Sequence, residues 1–266
     1  MSNLLIPNHS PDATGNILRI TPESAGWKYV GFEVYQLEAG RKLEQDTADR
    51  ETCLILVTGT ANVMAGTQSW KGLGERTEVF DGRRPYAVYV PAHSSWQVIS
   101  QTSLELAVCT APAQGRLDAR LIRPDVMSVE HRGHTNVNRT VHNILPEEES
   151  AENLLVVEVL VGDGNWSGYP PHKHDVDDLP RESSLEETYY HKIRPKEGFA
   201  FQRVYTADGT LDESIAVKHN HGVLVPKGYH PVVAPPRHQC YFINVMAGPV
   251  RTWRFTEDAV HTSLMN

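Results

Sequence analysis

Cysteine is scarce in this chain. There are three in 266 residues (Cys53, Cys109 and Cys240), far apart and without a CxxC pair. That count suggests neither a disulfide framework nor a thiolate zinc site. Each cysteine sits in an apolar run and reads as a buried, reduced thiol. Positive charge is also in short supply: 25 Lys and Arg stand against 33 Asp and Glu, for a formal charge of −8. Nucleic acid and anionic membrane both demand a basic face, so neither is expected as a partner. A small anionic substrate is not excluded, because a local Arg or a metal ion can outweigh the global charge. Long apolar runs are missing too; runs such as residues 53–57 and 154–157 are far too short to cross a bilayer. Residues 1–15 lack a basic stretch followed by an apolar one, so no signal peptide is expected and a cytoplasmic, soluble protein is. Finally, no segment keeps apolar residues at helical spacing for three turns.

What the chain does contain is strand periodicity. Residues 29–37, 52–57, 86–90, 104–109, 154–160, 188–193, 199–205, 223–225, 240–245 and 251–255 are short and rich in Val, Tyr, Phe and Trp. Gly, Pro, Asp and Asn separate them, and 19 glycines with 17 prolines supply many turns. The expected class is all-β.

Two halves share one rhythm. Residues 51–57 lead through a Gly59 turn to residues 61–65 and later to Tyr86-Ala-Val-Tyr-Val-Pro91. Residues 187–193 lead through a turn ending at Gly198 to residues 199–205 and later to Gly222-Val-Leu-Val-Pro226. An internal duplication is the economical explanation, with each half closing a small β-barrel or jelly roll that shortens its exposed edges. The expected division is 1–130 and 131–266, with the Arg-rich stretch 120–143 as the boundary region. Sheet edges left exposed would suit a homo-oligomer.

The most informative string is Trp166-Ser-Gly-Tyr-Pro-Pro-His172-Lys-His174-Asp. In an extended chain His172 and His174 project to one side and Lys173 to the other. Glu187 opens the next strand, and His230 follows the Pro226-Lys-Gly-Tyr turn. Three imidazoles and a carboxylate suit one divalent ion: Zn, Mn, Fe, Co or Ni. An HxH alone is weak evidence, since His219-Asn-His221 is a second one; that pair reads as a surface turn, and His131, His134 and His142 as solvated or interface residues. The order of features distinguishes the first pair: HxH, a Glu before an aromatic strand, then P-x-G-x-H.

That order resembles the two motifs of the cupin superfamily. The resemblance implies a bicupin, two tandem jelly-roll barrels, with the four residues holding one metal inside the second. One departure is the twelve-residue spacing between His174 and Glu187, filled by an acidic insertion that reads as a loop or lid at the barrel mouth. It leaves open whether Glu187, Glu186 or an Asp of the loop supplies the carboxylate. In the first half, Pro91-Ala-His93-Ser-Ser-Trp96 puts Trp where the last histidine would stand, and no HxH precedes Glu51. The first barrel is therefore expected to be structural, with His93 a turn residue.

The strings Gly164-Asn-Trp-Ser-Gly-Tyr-Pro-Pro-His-Lys-His-Asp, Glu186-Glu-Thr-Tyr-Tyr, Gly198-Phe-Ala-Phe-Gln-Arg-Val-Tyr-Thr206, Val225-Pro-Lys-Gly-Tyr-His-Pro231 and Asn244-Val-Met-Ala-Gly-Pro249 resemble the 5-deoxy-glucuronate isomerase family of myo-inositol breakdown. They resemble, more distantly, the uronate ketol-isomerases of pectin breakdown. The resemblance implies an aldose–ketose interconversion of a small sugar acid, 5-deoxy-glucuronate to 5-dehydro-2-deoxy-gluconate, with the metal as Lewis acid. Strand alternation places Tyr189 on the face of Glu187. Gln202 and Arg203 face opposite ways, so at most one points inward, and Arg203 is a candidate for the substrate carboxylate. Lys173 faces away from the ligands. A cupin dioxygenase and a non-catalytic sugar-binding bicupin are the alternatives.

Overall fold

The computed structural model describes residues 3–264, which form 23 short strands and two short helices, Pro22–Ala25 and Ala259–Leu264. The all-β expectation holds. The chain forms two compact units: Asn8–Ser128 with Ile144–Val156, and Val129–Asn143 and Val157–Asn266 with Met1–Pro7. Two short segments thus lie with the unit built mainly from the other half. Leu5–Ile6 adds an antiparallel strand beside Gly222–Val225, and residues 152–154 bind Glu51.

In the first unit a six-stranded sheet runs in the order Arg120–Ile122, Tyr86–Val90, Arg50–Thr58, Leu104–Pro112, Gly31–Leu37, Asn16–Ile20. A four-stranded sheet runs Lys42–Asp46, Ser95–Ser100, Ala61–Ala65, Gln68–Leu73. Alternate residues of both sheets meet in one apolar cluster that includes Tyr35, Leu54, Leu56, Val98, Leu106 and Trp96. Trp96, expected to replace a ligand, therefore fills the core, and His93 is an exposed turn residue at φ 58°. Glu51 is fully buried, yet its carboxylate accepts backbone N–H bonds from Glu152, Asn153 and Leu154 at 2.6–2.7 Å and the Tyr89 hydroxyl at 2.6 Å. Those four donors satisfy a charge that would otherwise be costly to bury. The group is structural.

In the second unit a seven-stranded sheet runs Leu5–Ile6, Gly222–Val225, Glu186–Arg194, Gln239–Ala247, Leu155–Gly162, Arg139–Leu145, Ser128–Arg132. A four-stranded sheet runs Trp166–Ser167, Val232–Val233, Ala200–Tyr205, Asp212–Val217. His172–Lys173 pairs separately with Thr256–Glu257. Residues 251–255 are not the strand that their composition suggests. They run irregularly past the mouth of the unit, and the short strand begins only at Thr256. The acidic insertion is no free lid. Buried Glu182 accepts from Lys173 Nζ at 2.8 Å and from the amides of Asp175 and Val176 at 2.6 and 3.2 Å, while Ser183 N donates to Arg254 O. Lys173, facing away from the other histidine partners, is thereby used to tie the insertion down.

Candidate metal centre

Three elements converge on one spot. The first is the segment carrying His172 and His174. Leu185 N donates to His174 O, and His174 Nδ1 is 3.0 Å from Leu185 O. This double link orients the ring so that Nε2 faces inward. The second is Glu186–Arg194, where Glu187 and Tyr189 are buried on the barrel-facing side. The third is the turn before His230. Gly228 sits at φ +92°, and a Cβ there would lie 2.3 Å from Tyr205 O, so only glycine fits. Its carbonyl lies 2.8 Å from His230 Nδ1, and its N–H donates to Asp175 Oδ1 at 2.7 Å. Asp175 is thus spent on the turn, and Glu187 rather than Glu186 faces the histidines.

The result is a tight cluster. One ligand atom each from His172, His174 and His230 falls within 4.8 Å of the others. Glu187 Oε2 lies 2.9 Å from His174 Nε2 and 3.1 Å from His230 Nε2. Imidazole nitrogens and carboxylate oxygens bind first-row cations at about 2.0–2.2 Å, which sets just this scale of spacing. The His230 Nε2 atom, although buried, makes no hydrogen bond. The contact to Glu187 is close but misaligned, leaving the ring's lone pair available. An orphaned imidazole nitrogen beside a carboxylate and two further imidazoles fits a divalent ion.

The charges agree. Burial, with His230 and His174 nearby, drives the His172 imidazole well below its usual value, so it is neutral and can act as a ligand. Burial disfavours charge on both Glu187 and His174, but His230 first and then the bond to His174 hold Glu187 well below the usual carboxylate range, and the bond to Glu187 raises His174.

Tyr189 stands directly across from Asn244 on the neighbouring strand. Asn244 Nδ2 donates to Glu187 Oε1, and the Tyr189 hydroxyl contacts both Asn244 and Glu187. Asn244 therefore orients the carboxylate from behind, a partner that no motif spacing announces. The cleft over the cluster is walled by Tyr169, Trp253 and Phe255 and, on the far strands, by Arg132, Arg139 and Val141.

Gln202 and Arg203 separate as alternation requires. Gln202 is fully buried, with neither amide atom hydrogen-bonded, and it does not line the cleft. Arg203 turns outward, gives Nε and Nη2 to Asp212 at 2.8 Å each, and stacks on Tyr205. Its guanidinium is committed away from the cluster. His219 bonds to the Ile193 backbone, and neither His219 nor His221 joins the metal cluster. His131 and His134 are exposed. His142, expected to be solvated or at an interface, is instead buried, its Nδ1 2.7 Å from Glu158 Oε1.

Comparison with known proteins agrees along the whole chain. The KduI/IolB family matches residues 4–264. A 5-deoxy-glucuronate isomerase of Geobacillus kaustophilus is 56% identical over 265 residues, covering 100% of this chain and 96% of the relative. That of Bacillus subtilis is 40% identical, covering 98% of each. The crystal structure of an IolB-like protein from Salmonella typhimurium superposes with a TM-score of 0.96 at 47% identity, over 100% of both chains. Oxalate decarboxylase of Bacillus subtilis superposes with a TM-score of 0.65 at 11% identity, over 97% of this chain and 80% of that one, and shares the fold alone. The chain belongs to the KduI/IolB family.

Proposed function

We propose that this chain is a cytoplasmic, metal-dependent 5-deoxy-glucuronate isomerase of myo-inositol breakdown, forming 5-dehydro-2-deoxy-gluconate. The observation that carries the reading is the convergence of His172, His174, His230 and Glu187 in a chain whose relatives of the same length are named for that activity. Those four residues would hold the cation. When bound, a divalent ion supplies Lewis-acid stabilisation for charge that develops on neighbouring oxygens.

The reaction moves a proton from C2 to C1 and electrons from the C2–H bond into the aldehyde carbonyl, so no oxidant is needed. This chain's residues set the conditions. Burial, and then the Glu187 charge, hold the Tyr189 phenol well above its usual value, so it keeps its proton and serves as a hydrogen-bond donor. Asn244 fixes Glu187 in place. Tyr169, Trp253 and Phe255 supply an aromatic wall to the cleft.

The test is incubation of metal-loaded protein with 5-deoxy-glucuronate in D₂O under argon, followed by NMR. The expected result is conversion of the aldose to the ketose with no gain of oxygen mass, and deuterium at C1 to the extent that the transferred proton exchanges with solvent. An absolute need for O₂ with a gain of oxygen mass would instead indicate a dioxygenase. Sugar binding without conversion would indicate a non-catalytic module.

A further inference from the structure

An aldose–ketose isomerase specific for a sugar acid needs a counter-charge for the carboxylate at the end of the substrate away from the reacting carbons. Arg203 does not supply it, since its guanidinium is paired outside with Asp212. Two other arginines line the cleft that borders His172 and Glu187: Arg132 and Arg139. Arg132 is already engaged, its Nε giving to Glu130 Oε2 at 2.7 Å beneath Trp253.

Arg139 differs. It opens the strand Arg139–Leu145, and alternation sends its side chain to the cleft side with Val141, while His142 goes to the opposite face with Glu158. It is half-buried. Its one hydrogen bond is from Nη1 to the carbonyl of Val137 at 3.0 Å, and no described carboxylate pairs with it. The acidic groups that share the cleft are committed or face elsewhere: Glu187 to His174 and Asn244, and Glu257 to Thr262. Burial and the neighbouring Arg132 charge both act against the Arg139 cation, and its field reaches His172. A cation held partly out of water, beside a second cation and without an anion, is costly unless an anion arrives. The free edge of the guanidinium has the fork that matches a carboxylate with two hydrogen bonds.

We infer that Arg139 is the substrate-carboxylate anchor of the cleft, binding the acid end of the sugar while its aldehyde end lies at the histidine cluster. This rests on the isomerase reading, and the experiment separates the two. Wild type, Arg139→Met and Arg139→Lys are compared on 5-deoxy-glucuronate and on its C6 alcohol, 5-deoxy-glucose, with metal content and thermal unfolding measured for each. Wild type is expected to favour the acid. Arg139→Met should raise KM for the acid by roughly thirtyfold or more, the usual loss when a partly buried charge pair loses one member. It should leave KM for 5-deoxy-glucose and the metal content unchanged, and Arg139→Lys should fall between.

Equal losses on both sugars in Arg139→Met would mark a structural role and overturn the inference, as would an unchanged preference for the acid. If Arg139→Met does not fold, Arg139→Lys decides: it keeps a point charge and loses the fork, so a wild-type acid preference in it would count against the anchor. Should wild type convert neither sugar, the isomerase reading fails. Calorimetric binding of the two sugars to wild type and variant then still judges Arg139.

Discussion

Asn244 is the residue on which the geometry of the carboxylate depends. Groups that orient a metal's ligands are worth about 10–100-fold in metal affinity, and Asn244 Nδ2 is bonded directly to Glu187 Oε1. Asn244→Leu is therefore expected to weaken metal binding by about tenfold or more with the fold intact, measured by competition with a chromogenic chelator. The same side chains dictate a pH response. Although burial opposes it, the bond to Glu187 raises His174 above its usual value, so the cation competes with a proton that is more tightly held than usual. Metal affinity should fall as pH is lowered through that range, on the order of tenfold per pH unit for one displaced proton. Isothermal titration at several pH values reads this, and a pH-independent affinity would exclude the His174–Glu187 pair from the site. At this scale the sequence was informative about the histidines, since HxH and P-x-G-x-H keep their side chains within a few residues of one turn. Asn244 and Arg139 were not legible. Each becomes a neighbour of the cluster only when strands far apart in the chain pair, and neither residue type announces such a role alone.

Among the elements, the turn 226–230 carries the most consequence per residue. Gly228 combines a φ of +92° with a carbonyl 2.3 Å from where a Cβ would stand. Alanine there must move the turn that aims His230, so Gly228→Ala should destabilise by about 1–3 kcal/mol. Differential scanning calorimetry would measure the loss, together with a reduced metal content. The strand Glu186–Arg194 holds a second test. His191 is fully buried between the rings of Tyr189 and Phe242, and burial pushes its imidazole down to about 3. Between that value and the ordinary 6.5, the unfolded chain takes a proton that the native chain refuses. Stability therefore rises with pH across this window and is lost as pH falls through it, by up to about 1.4 kcal/mol per pH unit. Urea unfolding of His191→Phe should show a correspondingly shallower acid slope. Strand alternation foretold the inward set Glu187 and Tyr189 and the divergence of Gln202 from Arg203. It failed at residues 251–255, whose Trp and Phe serve the wall of a cleft rather than a ladder.

Across the whole molecule, the two units divide the labour. The first is filled where the second is open: Trp96 occupies the core, and Glu51 is saturated by backbone amides. Trp96→Ala should cost about 3–5 kcal/mol of stability while the folded fraction keeps its metal, as calorimetry and elemental analysis on the same sample would report. The duplicated rhythm of the sequence made the two-barrel architecture readable. The placement of residues 144–156 and of Leu5–Ile6 was not, because those segments are short and their partners lie more than eighty residues away.

The most direct measurement is the metal stoichiometry of purified wild-type protein beside His172→Ala and Glu187→Gln, by elemental mass spectrometry after dialysis. One divalent ion per chain in wild type and almost none in either variant is the expected result. Wild-type occupancy in both variants would mean that these side chains, however close they stand, do not hold the ion.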